Sequence, residues 1–167
     1  MAKRKSTKVY HLKIKLTAAK KIWRLIAIRG DQTLDDLHEA IFKAFDRYDE
    51  HLYSFCFLPP GVKGRNRRRQ ATEFTHPYGV DEGSFWGGEP QRSAAETTID
   101  DLSLQKGQLF EYLFDFGDSW EHEIVVERIE DEADKKKYPR ILKKEGESPP
   151  QYPLDEEDEG EEDDDLE

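Results

Sequence analysis

The sequence lacks several features that would assign it to a particular class of protein. Cys56 is the only cysteine among 167 residues, so an intrachain disulfide is excluded. Its place in an alternating apolar run predicts a buried, inert thiol. No apolar run approaches the roughly 20 residues that a membrane-spanning helix needs, and no apolar stretch of signal length follows the basic start. These absences predict a soluble cytoplasmic protein with no membrane contact and no disulfide-linked partner.

The short motifs of the common catalytic classes are also missing. The sequence has no P-loop, no GxSxG nucleophile turn, no HExxH metalloprotease motif and no CxxC pair. Residues 115–118 have the letters of the kinase DFG motif, but neither a glycine-rich phosphate loop nor an HRD-type catalytic loop accompanies them. We therefore predict no catalytic residue and no cofactor, and without cysteine pairs we assign no metal ligand.

Acidic charge is concentrated at the C-terminal end. Residues 155–167 contain eleven acidic side chains, and without these the chain retains 26 acids, which match its 26 lysines and arginines. Like charges at this density repel one another, which predicts a disordered acidic tail at 155–167. Residues 1–154 are expected to form a single domain, because a chain of this length can bury roughly two thirds of its unfolded surface.

Hydrophobic periodicity predicts an α+β fold with a twisted antiparallel sheet of about five strands. Apolar and aromatic residues alternate with period two, or run on both faces, at 10–16, 22–28, 51–58, 110–116 and 120–126. One main helix is expected at 34–46, packed on a face of the sheet. Its apolar residues recur at helical spacing, and Thr33 with Asp36 resembles a capping box.

The remaining segments give weaker signals. Residues 59–95 show no period and predict a long irregular loop. Thr98 and Asp101 repeat the capping pattern ahead of Gly107, which predicts a second helix. Residues 138–142 are a candidate short edge segment. In the hairpin at 109–127, Gly117-Asp118 supplies the turn and Asp115 is expected to accept hydrogen bonds from turn amides.

Four pieces of sequence together resemble a known family. They are IWR at 22–24, TLDDLHEAI at 33–41, HLYSF at 51–55 and, above all, DFGDSWEH at 115–122. They are similar to the Ri-plasmid open-reading-frame-three-like family, over roughly residues 8–142. The resemblance implies a roll-like α+β fold, no established biochemical activity, and an association with plasmids and mobile elements. Relatives commonly carry two cysteines after the hairpin. This chain lacks both, so no metal or redox role can depend on them here.

The leading functional hypothesis is a non-enzymatic binding module of plasmid or mobile-element type. The sheet and the 59–95 loop would hold a nucleic-acid or protein partner, and the oligomeric state stays open. The candidate binding residues lie in the resemblance motifs and in the hairpin: Trp23, Arg24, His38, His51, Tyr112, Asp115, Asp118, Trp120 and His122. A basic run in the loop supplies candidate phosphate contacts: Lys63, Arg65, Arg67, Arg68 and Arg69.

The alternative hypothesis is a metal-dependent hydrolase. It requires His38, His51 and His122 to converge with the acids of the DFGD turn. If these histidines instead scatter, or pack singly against aromatic rings, the enzyme hypothesis fails. His38 lies on the apolar stripe of the helix, where a hydrogen-bonded packing role is common. Trp120 and His122 are expected on the buried face of the return strand.

Overall fold

The computed structural model describes residues 8–59, 61–64, 70–76, 92–115 and 117–151. In these ranges the chain is mostly sheet, with eight strands in one mixed sheet and one α-helix of eleven residues. The predicted α+β fold with about five strands is therefore wrong, and the fold is closer to an all-β architecture.

The elements follow one another in a simple order. The helix α1 spans Leu34–Ala44, and the strands are β1 (Val9–Leu16), β2 (Ala19–Arg29), β3 (Tyr53–Phe57), β4 (Thr72–Thr75), β5 (Arg92–Ser93), β6 (Leu109–Phe114), β7 (Trp120–Glu130) and β8 (Arg140–Glu145). Across the sheet the order is β5-β4-β3-β6-β7-β1-β2-β8. Every neighbouring pair is antiparallel except β4 and β5, which are parallel.

Three strands account for the error in the predicted fold. β4 and β5 fall inside the stretch that was expected to be an irregular loop, and they contain only four and two residues. Segments this short cannot show a period of two, so pairing with neighbouring strands decides their conformation. β8 extends the candidate edge segment, but four of its six residues are charged, which hides the apolar pattern of a strand.

The predicted second helix is a single 3₁₀ turn at Asp100–Leu102. Its start forms as expected, because the Thr98 and Asp101 side chains accept hydrogen bonds from each other's backbone N–H at 3.2 and 3.0 Å. Ser103 then adopts a left-handed conformation with φ of 50°, which ends the helix after one turn.

The core lies between α1 and the sheet face that it covers. The capping box of α1 is confirmed, since Thr33 Oγ1 accepts from the Asp36 N–H and Asp36 Oδ2 accepts from the Thr33 N–H. Burial alternates along β1, as the sequence predicts. Arg24 of β2 caps the C-terminal end of α1, because its buried Nε donates to the Ala44 carbonyl at 2.7 Å.

Several predictions fall outside the described ranges. They concern Arg65, Arg67, Arg68 and Arg69 of the basic run, Phe116, and the acidic tail at 155–167. Among the described residues, no helix combines the length and the apolar character that crossing a membrane requires.

Candidate metal centre

A pocket of about 620 Å³ opens beside the first turns of α1. Six of its seven lining residues carry a carboxylate or an imidazole, and the set is Asp35, His38, Glu39, Glu50, His51, Leu52 and His76. Three of the six come from α1, where spacings of three and four residues place side chains on one face. Glu50 and His51 lie between α1 and β3, and His76 directly follows β4.

His38, Glu39 and Glu50 form the tightest group in this pocket. Each can offer one ligand atom, and these atoms all lie within 4.8 Å of one another. His38 Nε2 lies 3.2 Å from Glu50 Oε2. The histidine is buried and the two carboxylates are exposed, so an ion could reach the group from solvent. One imidazole and two carboxylates form a ligand set suited to a divalent transition metal.

Buried neighbours determine the orientation and the protonation of His38. Its ring stacks on Tyr53 with centroids 3.9 Å apart, and its Nδ1 lies 2.7 Å from the Tyr112 hydroxyl. Because Nε2 faces the Glu50 carboxylate, Nε2 carries the ring proton and the Tyr112 hydroxyl donates to Nδ1. Burial, with further contributions from His76 and Arg47, lowers the pKa of His38 to about 3. The ring is therefore neutral at neutral pH, which is the state that binds metals.

The carboxylates in this pocket repel one another. Partial desolvation inside the pocket raises the pKa of Glu50 although its side chain remains exposed, and the negative charges of Glu39 and Asp35 raise this pKa further, while His51 lowers it. The hydroxyl of Tyr53 donates to Asp35 at 2.5 Å, and burial together with this bond raises the pKa of Tyr53. A cation bound between the carboxylates would remove this repulsion.

His51 connects the pocket to the turn of the β6–β7 hairpin. Its Nε2 lies 3.5 Å from Asp115 Oδ2. The other oxygen, Oδ1, accepts hydrogen bonds from the N–H groups of Gly117 and Asp118 at 3.0 and 3.3 Å, which confirms the predicted turn role of Asp115. Asp115 has a left-handed φ of 63°, a conformation that aspartate tolerates better than most residues. The turn thus directs one carboxylate oxygen at a pocket histidine.

His122 does not reach this pocket. Its Nδ1 faces the Tyr112 carbonyl at 3.2 Å, so Nδ1 carries the proton and Nε2 accepts from Arg47 NH2 at 2.7 Å. Burial, and then the charge of Arg47, hold the pKa of His122 well below its ordinary value. Both ring nitrogens have partners inside the protein. The three histidines therefore do not converge: His38 and His51 line one pocket, and His122 does not. The hydrolase site expected from these histidines and the turn acids does not form.

The chain is similar to a family of known proteins. The chain matches the model of the family described as plasmid pRiA4b ORF-3-like protein over residues 8–152. The chain belongs to this family. The family resemblance drawn from the sequence is confirmed.

The descriptions of two similar proteins assign them no function. The "Uncharacterized protein y4hQ" of Sinorhizobium fredii (strain NBRC 101917 / NGR234) is 27% identical over 121 residues, which are 72% of this chain and 54% of that protein. The chain thus spans about half the length of this curated relative. A crystal structure of a protein of unknown function, MM3350 from Methanosarcina mazei Go1, is similar with a TM-score of 0.66 and 25% identity. That match covers 87% of this chain and 74% of MM3350.

Several candidate residues from the family motifs lie away from the pocket. Arg24 faces α1, and neighbouring residues of a strand face opposite sides, so Trp23 lies on the sheet face away from α1. There the Lys13 ammonium lies 4.2 Å from the centroid of the Trp23 ring. Arg24 serves the end of α1. Asp118 and Trp120 line a second pocket at the end of the sheet. Lys63 is exposed, and the arginines that follow it lie outside the described residues.

Sequence reasoning missed five residues of this region. Asp35 lies three residues before His38 and four before Glu39, and this helical spacing was a usable signal on a helix that was predicted correctly. Glu50, Arg47 and His76 offered no comparable signal, because only the tertiary fold brings them to His38 and Tyr112.

Proposed function

We propose that this chain is a binding module for a divalent transition-metal ion, held by His38, Glu39 and Glu50. The observation that carries this function is the approach of three ligand atoms to within 4.8 Å at the base of an open pocket. An imidazole in the set favours zinc or a neighbouring transition metal over magnesium and calcium, which prefer oxygen ligands alone.

Tyr112 acts as a positioning residue for the ion. When Nε2 of His38 binds a metal, the ring proton must lie on Nδ1, which then donates to the Tyr112 oxygen at 2.7 Å. Metal-binding histidines are commonly held in this way by a partner on the second ring nitrogen. Since Tyr112 is fully buried in the core, the ring of His38 is oriented before the ion arrives.

Calorimetric titration with zinc chloride tests the proposal. We expect one site per chain, with affinity at least roughly tenfold weaker in Glu39→Gln and in His38→Gln. Glu39 is exposed, so its substitution should not disturb folding. The matched control is His11→Gln, because His11 Nε2 also lies beside a carboxylate, 3.1 Å from Glu130 Oε1, but is not part of the three-ligand group. Equal zinc affinity in all four proteins would contradict the proposal. Repeating the titrations without residues 155–167 removes binding by the acidic tail.

Metal-dependent hydrolysis is a second candidate function, with His38, Glu39 and Glu50 as the ligands in place of the three histidines expected from the sequence. Three protein ligands are typical of catalytic zinc sites, which retain one position for water. The ligand group faces a pocket of about 620 Å³, which His51 also lines. Hydrolysis of nitrophenyl acetate and bis-nitrophenyl phosphate with added zinc or manganese tests this. Turnover by the unmodified protein that is lost in Glu39→Gln would support an enzyme. Equal turnover by the unmodified protein and Glu39→Gln would show that this site does not catalyse the reaction, which would support a non-enzymatic module.

A nucleic-acid or protein partner of the module stays a prediction. Lys63 is the described residue of the basic run, and its exposure is compatible with a phosphate contact. The role on plasmids or mobile elements is likewise part of the proposal, supported by the family to which the chain belongs.

A further inference from the structure

The guanidinium of Arg47 is buried, and no described residue provides an anionic partner for it. The residue is 8% exposed, and its guanidinium carbon lies 5.1, 4.9 and 5.4 Å from the ring centroids of Phe45, Phe114 and Trp120. NH2 donates to the neutral ring of His122, whereas NH1 is buried and has no acceptor among the residues that the structure describes. Across the described ranges, no carboxylate forms an ion pair with Arg47. A buried cation in this state is costly unless an anion joins it.

A second buried donor without an acceptor lies beside Arg47. The indole Nε1 of Trp120 is inaccessible to solvent and has no hydrogen-bond partner in the described part of the chain. Trp120 itself is half-buried and packs against the core, while its neighbours Phe114 and His122 are fully buried. Two unsatisfied donors on neighbouring side chains are unusual in a folded protein, where almost all buried polar groups have partners.

Trp120 also lines an apolar pocket of about 590 Å³ at the end of the sheet. The pocket lies between the β1–β2 turn, the β6–β7 turn and the C-terminal segment, and its walls are Leu16, Thr17, Ala18, Ala19, Asp118, Ser119, Trp120, Glu121, Pro149 and Gln151. Its volume suits a small organic molecule. The acidic side chains of Asp118 and Glu121 disfavour a multiply charged anion such as phosphate. The apolar walls favour a ligand with an apolar body.

We propose that this pocket binds a small monocarboxylic acid with an apolar body, whose carboxylate accepts hydrogen bonds from the Arg47 guanidinium and the Trp120 indole. A planar carboxylate matches the fork of N–H donors on arginine. Arg47 does not line the pocket itself, because its guanidinium lies behind the Trp120 ring at 5.4 Å from the centroid. Both donors are covered in this structure, so ligand binding requires the half-buried indole to turn aside as the ligand enters. None of the proposed metal ligands lines this pocket.

Titration with benzoate and with benzamide tests this site in the full-length chain. The two probes share one shape and differ in charge. We expect benzoate to bind at one site about tenfold or more tightly than benzamide, since hydrogen bonds to charged groups are the stronger ones. Arg47→Met should remove this difference, and Trp120→Phe, which deletes the indole N–H, should reduce it. Melting temperatures confirm that each variant is folded, and Arg47→Lys, which retains the charge without the planar fork, should bind benzoate at an intermediate level.

Three results would overturn the proposal. One is equal affinity for benzoate and benzamide, which would indicate that water satisfies the two donors. Another is a preference for benzoate that persists in Arg47→Met. The third concerns the acidic tail, which begins four residues after Gln151 of the pocket wall. If benzoate binds only after deletion of residues 155–167, the occupant is a carboxylate of this chain rather than a free acid.

Discussion

Replacing Tyr112 by phenylalanine separates the proposed role of this residue from its contribution to packing. Tyr112 is 1% exposed, and its hydroxyl donates to Nδ1 of His38 at 2.7 Å. The substitution removes one oxygen atom and leaves the aromatic ring in place. His38 then has a buried ring nitrogen without a partner and is free to change its tautomer and its tilt.

The structure sets the size of the expected effects. A buried acceptor that loses its donor costs about 1–3 kcal/mol in the free energy of unfolding. For a chain of this size each kcal/mol lowers Tm by about 2–4 °C, so we expect a fall of roughly 2–12 °C. Loss of the group that orients a metal-binding histidine commonly costs about 10–100-fold in metal affinity. We therefore expect zinc binding to Tyr112→Phe, measured by calorimetry, to weaken in this range.

Tyr10→Phe is the matched control. Tyr10 is also buried, and its hydroxyl donates to Asp100 Oδ1 at 2.8 Å, in a region that does not border the pocket. This variant should lose a comparable amount of stability and retain the zinc affinity of the unmodified protein. If Tyr112→Phe also retains that affinity, or if both variants lose it equally, Tyr112 does not position His38 for a metal.

Three further outcomes are expected. Because the folded-state pKa of His122 lies well below the unfolded value of 6.5, protons bind preferentially to the unfolded chain as pH falls below 6.5. Urea denaturation between pH 6.5 and 5 should then show that the free energy of unfolding falls less steeply with pH in His122→Gln than in the unmodified protein. The two slopes should differ by up to about 1.4 kcal/mol per pH unit. Gly30→Ala places a Cβ 2.1 Å from Asp100 Oδ1 and should cost about 1–3 kcal/mol, and less in an Asp100→Ala background. Deleting residues 155–167 should raise affinity for a DNA or RNA oligomer in fluorescence anisotropy at low salt, with the gain shrinking as salt rises. Equal pH slopes for His122→Gln and the unmodified protein would contradict the first prediction. An equal cost of Gly30→Ala with and without Asp100→Ala would contradict the second, and equal oligomer binding with and without residues 155–167 the third.

The long periodic elements could be read from the sequence. β1, β2, β6, β7 and α1 each run for six residues or more, which is enough for alternation or helical spacing to stand out. The short strands could not be predicted, because the four residues of β4 and the two of β5 are strands only through pairing with their neighbours. The fold class was consequently wrong, although the elements around the candidate metal centre were in place.

The candidate site was predictable only in part. His38 and His51 were selected from the family motifs, and the structure places both in one pocket. His122 alternates correctly onto the helix-facing side of β7, but its ring is used by Arg47 and by the backbone of Tyr112. Arg47 follows the apolar stripe of α1 in a run of charged residues, and such a position predicts a side chain exposed to solvent. Its burial depends on aromatic rings from β6 and β7 that are far away in sequence.

Anomalous diffraction at the zinc edge, from crystals soaked with zinc chloride, tests the proposed metal centre most directly. The expected result is one strong peak within about 2.0–2.2 Å of His38 Nε2 and of a carboxylate oxygen from each of Glu39 and Glu50. The peak should be much weaker in crystals of Glu39→Gln soaked at the same zinc concentration, chosen near the dissociation constant of the unmodified protein. An equally strong peak in that variant, or zinc found only at other carboxylates with none beside His38, would contradict the assignment of this pocket as a metal site.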